Sequence, residues 1–201
     1  TPRSSADSDV QQQKLLKARE DMHSVFVTMY QDFRYEFAAF VEDDLGVSPA
    51  LPLFFEAVAV PTMRMDQSLF CASGWNDNAF GGNSAPPVIL RGQHFMGLGW
   101  LMPRSRFDAD VWPLWTQRWL QTHSATASEA WDQLVQRAMP LSTECLFPTT
   151  ALTRHLRKPS SKTISQGSSM QDTFDAMSFW QSTQLGWPLV RFRTATVGSP
   201  V

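Results

Sequence analysis

Between Phe33 and Phe37 the spacing of apolar residues changes from a helical period to a strand-like run, and that run ends in three consecutive acids. Upstream, Leu15, Met22, Phe26, Met29 and Phe33 recur at intervals of three, four and seven, which predicts one amphipathic helix over about Gln11 to Phe33. Downstream, Phe37-Ala-Ala-Phe-Val41 is a short continuous apolar run, the pattern of a buried strand in a sheet covered on both faces. A helix feeding a buried strand points to an α/β fold. Ligands in open α/β sheets bind beyond the carboxyl ends of strands, where Glu42-Asp43-Asp44 stands.

Three adjacent carboxylates repel one another, so they gain little as structure. They are suited to hold a hard divalent cation, and the competing reading is a solvated loop or a helix N-cap. Farther along, Leu51 to Ala59 reads as a helix closed by Pro61, and Ser68 to Ala72 as a strand. A polar, Gly-rich loop follows from Gly74 to Pro87, then a short strand at Val88 to Leu90. Helices are expected over Trp112 to His123 and Ala127 to Ala138, joined by Ser124-Ala-Thr126. Arg154 to Ser169 reads as a basic, Ser-rich loop and Phe174 to Trp180 as a last helix. Residues 1–10 are expected to be a disordered end.

Charge excludes several classes. The chain has 17 basic against 19 acidic residues, a net charge of −2, so it lacks the basic excess of a nucleic-acid or membrane-surface protein. Apolar residues make up 43% of its 201, enough for a packed core, and no apolar run approaches the roughly 20 residues of a membrane span. The four histidines, His23, His94, His123 and His155, show no metal-ligand spacing and read as structural or surface residues. There is no Walker A sequence, no G-x-G-x-x-G and no nucleophile elbow. Trp75-Asn-Asp-Asn78 and Gly97-Leu-Gly-Trp100 combine amides, glycines and aromatic rings. Such residues suit either sugar recognition or plain turn chemistry, and on spacing alone the turn is favoured. Asp132, after Trp131 at the start of a candidate helix, either complements the helix dipole or serves as a general base. Cys71 and Cys145 are either buried thiols or, in an oxidising compartment, a bridge.

Taken in order, these pieces resemble the inverting N-acetylglucosaminyltransferases that act on mannose, the N-acetylglucosaminyltransferase I family and its relatives that extend O-linked mannose. The resemblance is carried by Phe33-Arg-Tyr35, Val41-Glu-Asp-Asp-Leu45, Ser68-Leu-Phe-Cys71, Trp75-Asn-Asp-Asn78 and Gly97-Leu-Gly-Trp100. It continues through Trp131-Asp132, Cys145-Leu-Phe-Pro148 and Ile164-Ser165, so that it covers about residues 30 to 180.

That resemblance implies a GT-A nucleotide-diphospho-sugar transferase fold with a mixed central sheet. It implies transfer of N-acetylglucosamine from UDP-GlcNAc to the 2-hydroxyl of a mannose on a glycoprotein glycan, the alternative being a non-catalytic carbohydrate-binding relative or an inactive fragment. Asp44 would ligate Mn²⁺, Glu42 and Asp43 would contact the nucleotide-sugar, and Asp132 would be the catalytic base with Trp131 walling the donor site. Ile164 and Ser165 match a loop that closes over the donor, and Cys71 with Cys145 matches a disulfide. The family often carries a second acid after its Trp-Asp pair, where this chain has Gln133. By the same resemblance, residues 11–185 would be the later part of a catalytic domain whose uracil-binding strands lie upstream, and 186–201 an unassigned tail. The parent protein would be a single-pass type II membrane protein of the Golgi lumen, its anchor lying outside this chain.

Overall fold

The computed structural model describes residues 5–79, 88–121 and 129–156. A mixed five-stranded sheet forms the centre, in the order β1-β5-β3-β6-β4. Its strands are β1 (Phe37–Phe40), β3 (Leu69–Ser73), β4 (Ile89–Gly92), β5 (Trp100–Pro103) and β6 (Glu144–Pro148). Only β3 and β6 run parallel, and the other neighbouring pairs are antiparallel. A separate two-stranded ladder joins β2 (Leu45–Val47) to β7 (Thr153–His155).

Helices cover both faces. On one side α1 (Ser5–Phe26) passes into a π-helical stretch at Val27–Asp32. With it lie α4 (Arg104–Arg106), a second π stretch at Phe107–Val111, α5 (Trp112–Gln121) and α6 (Trp131–Ala138). Phe26, Tyr30, Phe107, Trp115 and Leu134 pack there against Phe40, Phe70, Trp100 and Met102. On the other side α2 (Ala50–Leu53), a π stretch at Phe54–Ala59 and α3 (Val60–Met65) follow one another. Leu51, Phe54, Phe55 and Met63 of this segment bury Leu69, Leu101 and Leu146. Along β5, Trp100 and Met102 face one core and Leu101 the other, the alternation a two-sided strand requires.

Several sequence expectations are corrected. Helix α1 begins at Ser5, ahead of Gln11 and within the stretch expected to be disordered. Its apolar face also rotates: Tyr30 is buried while Phe33, expected on that face, is 62% exposed. The π stretch is the reason, because its wider turn advances the inward position by about one residue. Tyr30 gains a partner by this move, its hydroxyl donating to the Met102 carbonyl at 2.9 Å. Strand β1 lies at the sheet edge, and Ala39 is exposed, so the strand is not covered throughout. Pro61 does not end its helix. It sits in the first turn of α3, directly after a π stretch, where its missing N–H is tolerated.

Strands β2, β5, β6 and β7 were not expected as strands, and β7 occupies the start of the expected basic loop. The linker Ser124-Ala-Thr126 and the helix Phe174 to Trp180 lie outside the described residues.

Candidate active site

Strand β1 delivers the acids to one end of the sheet. After Phe40 the chain turns, the Leu45 N–H donating to the Glu42 carbonyl at 3.2 Å, and enters β2. Strand β7 then clamps this turn. Leu45 is the register partner of His155, and the Leu156 N–H donates to the Asp44 carbonyl at 2.7 Å.

The three acids therefore occupy different environments. Asp43 is exposed, Glu42 is half-buried, and the Asp44 side chain is only 14% exposed. Burial raises the Glu42 carboxyl to about 7, and the charges of Asp44, Asp132 and Asp43 add to that effect. Asp132 is thus close enough to act on Glu42, although the two are far apart in sequence. The sheet edge and the start of α6 converge on one acidic site.

Trp131 positions Asp132. Its indole lies parallel to that of Trp100, at 6.2 Å between centroids and 15° between planes, and meets Phe95 edge-on at 6.5 Å. The sequence around Gly97 makes room for it, since a Cβ on Gly97 would stand 3.2 Å from Trp131 Cη2. At the helix start the Gln133 side-chain oxygen accepts from the Ala130 N–H, one half of a capping box. Gln133 is therefore engaged with the helix end. Asp132 is exposed, and its Oδ1 accepts from the Gln133 N–H.

Asp44 has the features of a cation ligand. Its Oδ1 is buried and accepts no hydrogen bond among the described residues. No group of three or more His, Cys, Asp and Glu side chains is placed to enclose a metal among those residues. A hard cation that keeps its waters and takes one or two carboxylates plus substrate phosphates needs no such cage. One open buried carboxylate oxygen fits that kind of group.

His155, read from the sequence as structural or surface, lies beside Asp44 with Nδ1 3.8 Å from Oδ2. Burial lowers its pKa, and Asp44 partly offsets the effect. No local spacing signals this histidine, because the β2–β7 ladder brings it in from the far end of the described chain.

Trp75-Asn-Asp-Asn78 is a structural turn, as its composition favours. The Trp75 indole N–H donates to Asp77 Oδ1 at 2.7 Å. Asn76 Nδ2 donates to the Pro148 carbonyl, and Asn76 Oδ1 accepts from the Asn78 N–H. Gly99 is required by close approach and by its φ of +76°. A Cβ there would lie 2.5 Å from Thr153 Cγ2.

Cys71 and Cys145 form a disulfide between the parallel strands β3 and β6, where they are register partners. A register shift between Leu69 and Cys71 places Phe70 and Cys71 in the same core, and this lets Cys71 face Cys145. Ile164 and Ser165 lie outside the described residues.

The GNT-I family model matches residues 14–130 of the chain. The Arabidopsis thaliana protein named alpha-1,3-mannosyl-glycoprotein 2-beta-N-acetylglucosaminyltransferase is 33% identical over 88 residues, which cover 43% of this chain and 19% of that relative. The chain thus matches about a fifth of the relative's length. The family match includes Glu42, Asp43, Asp44, Cys71 and Gly97. It ends immediately before Trp131 and Asp132, whose place in the site rests on the geometry above.

Proposed function

From the premise that the chain belongs to the GNT-I family, we propose that it carries the transfer site of a glycosyltransferase moving N-acetylglucosamine from UDP-GlcNAc to the 2-hydroxyl of a mannose-terminated glycan, with inversion. One observation carries this reading: Asp132 is close enough to perturb Glu42, joining the acidic strand end to the start of α6 in a single site.

Inversion takes one in-line displacement. The mannose 2-hydroxyl oxygen forms a bond to the anomeric carbon as the bond to the diphosphate oxygen breaks. The hydroxyl proton passes to a general base. Asp132 is suited to that role, because it is exposed at the site and held by a helix whose first residue is stacked into the core. Glu42 and Asp43 would contact the nucleotide-sugar, and Trp131 would wall the donor site. Asp44 Oδ1 would hold Mn²⁺, which when bound neutralises charge on the diphosphate leaving group. Ile164 and Ser165 are assigned to a donor-covering loop by resemblance alone. The Cys71–Cys145 bridge suits an oxidising compartment, which supports a secretory, Golgi-lumen setting for the parent protein.

The test is transfer from UDP-GlcNAc to mannose-terminated glycans by the wild type and by Asp132→Asn. Loss of a base contributing roughly 10²- to 10⁴-fold should lower kcat by that order with little change in donor KM. Undiminished transfer by Asp132→Asn removes Asp132 from the role. Glycan binding without transfer by the folded wild type favours a carbohydrate-binding relative instead.

A further inference from the structure

The apolar stripe of α1 runs through Leu15, Met22 and Phe26, and Arg19 stands on the same stripe, one turn after Leu15 and one before Met22. The helix therefore turns an arginine inwards. Arg19 is 4% exposed, and among the described residues its buried Nε meets no hydrogen-bond acceptor. A buried charge left without a partner is costly. Carboxyl and imidazole groups escape that cost by changing protonation, whereas a guanidinium stays charged at every ordinary pH. The offset must come from an anion.

The neighbouring helices supply too little negative charge. Burial is the largest effect on Arg19 and lowers its pKa; Glu129 works against that, and the charge of Arg118 adds to it. Arg118 stands in the last turn of α5, whose end offers only about half a negative charge. Glu129 is already engaged in an ion pair by Arg137 of α6. Among the described residues, three guanidinium groups thus share one carboxylate, leaving two positive charges in excess where α1, α5 and α6 meet.

We propose that the junction of α1, α5 and α6 is an anion site, in which Arg19 and Arg118 hold a phosphate group. A phosphate dianion matches the excess of two charges, whereas a carboxylate balances half of it. The guanidinium fork also presents paired N–H donors to phosphate oxygens. Inorganic phosphate and the terminal phosphate of a small ester share this chemistry. The slight exposure of Arg19 favours the smaller ion.

The experiment titrates inorganic phosphate, and separately glucose 6-phosphate, into the protein at about pH 8 and constant ionic strength, where both are dianions. Binding is read from the ³¹P line width and from the rise of Tm with ligand concentration. Saturable binding of either ligand that weakens at least about 10-fold in Arg19→Met is the expected result, and the tighter ligand identifies the source. Glu129→Gln should tighten phosphate, because it removes the carboxylate that competes for the same cations. A purely structural cluster would lose stability in that variant without gaining affinity, and that outcome overturns the inference. Absence of saturable binding, or affinity unchanged in Arg19→Met, overturns it too, as does acetate binding as tightly as phosphate. If Arg19→Met does not fold, Arg118→Gln decides: weaker phosphate binding supports the site and unchanged binding overturns it.

Discussion

The Trp131 indole is stacked parallel to Trp100, 6.2 Å away, so a residue of the central sheet sets the position of the first turn of α6. Asp132 follows Trp131 directly and inherits that position. The site is therefore assembled by an aromatic contact within the core, and the acidic residues themselves do not hold it together.

Trp131→Ala should lower kcat by at least about 10-fold, because a base misplaced by an ångström loses much of its effect. Stability should fall by roughly 2 kcal/mol, less than the ~3–5 kcal/mol of a fully buried aromatic, since Trp131 is only half-buried. Gly97→Val is the complementary probe, because even a Cβ at this position would stand 3.2 Å from Trp131 Cη2. Steady-state kinetics with urea unfolding separate the two effects, and an unchanged kcat in both variants would dissociate the stack from catalysis.

The disulfide should be a principal stabiliser of the sheet. It closes a loop with a sequence separation of 74, for which chain entropy gives about 4 kcal/mol. Reduction, or the double substitution Cys71→Ala with Cys145→Ala, should lower the urea midpoint accordingly. A loss below ~1 kcal/mol would mean that the β3–β6 ladder is held by packing alone.

His23 should make the helical face acid-sensitive. Trp115 Nε1–H donates to His23 Nδ1 at 3.0 Å, which requires that nitrogen to be unprotonated. The His23 ring also lies on Trp119 at 4.0 Å. Burial lowers its pKa in the folded state below the ordinary 6.5. The unfolded chain therefore takes up a proton first, and stability present above pH 6.5 is lost as pH falls from there through the folded pKa. His23→Gln should flatten the stability–pH slope below pH 6.5, where the unfolded imidazole is protonated and the folded one is not. An unaltered slope would assign the acid sensitivity elsewhere.

Glu42 should act with the opposite sign. Its folded-state pKa is raised from 4.5 to about 7, so the folded protein retains a proton that the unfolded chain releases. In metal-free buffer stability should decline as pH rises from 4.5 to about 7. Glu42→Gln should remove that decline and stand above the wild type at pH 8, as read by thermal melts across the range.

Much of this architecture is legible in order along the chain. The change of period between Phe33 and Phe37 announces a helix followed by a strand, and Glu42-Asp43-Asp44 announces a charged strand end. The motifs from Ser68 to Trp75 and around Trp131 carry the family resemblance. These are local signals, written in periodicity and in short strings, and local forces are enough to express them. Strands β2, β5, β6 and β7 escape notice because none carries a clear periodic signal of its own and each acquires its conformation by pairing with a partner distant in sequence.

What the sequence determined by itself is therefore the α/β class, the acidic turn and, through resemblance, the pairing of Cys71 with Cys145. Tertiary structure alone decided that Phe33 points outward and Tyr30 inward, that a bulge turns Cys71 towards Cys145, and that His155 comes to rest beside Asp44. The reason is physical. Helical period and charge act between neighbours in sequence, whereas burial of Tyr30, the strand register and the Asp44–His155 approach depend on surfaces that exist only once the sheet and its helices have packed.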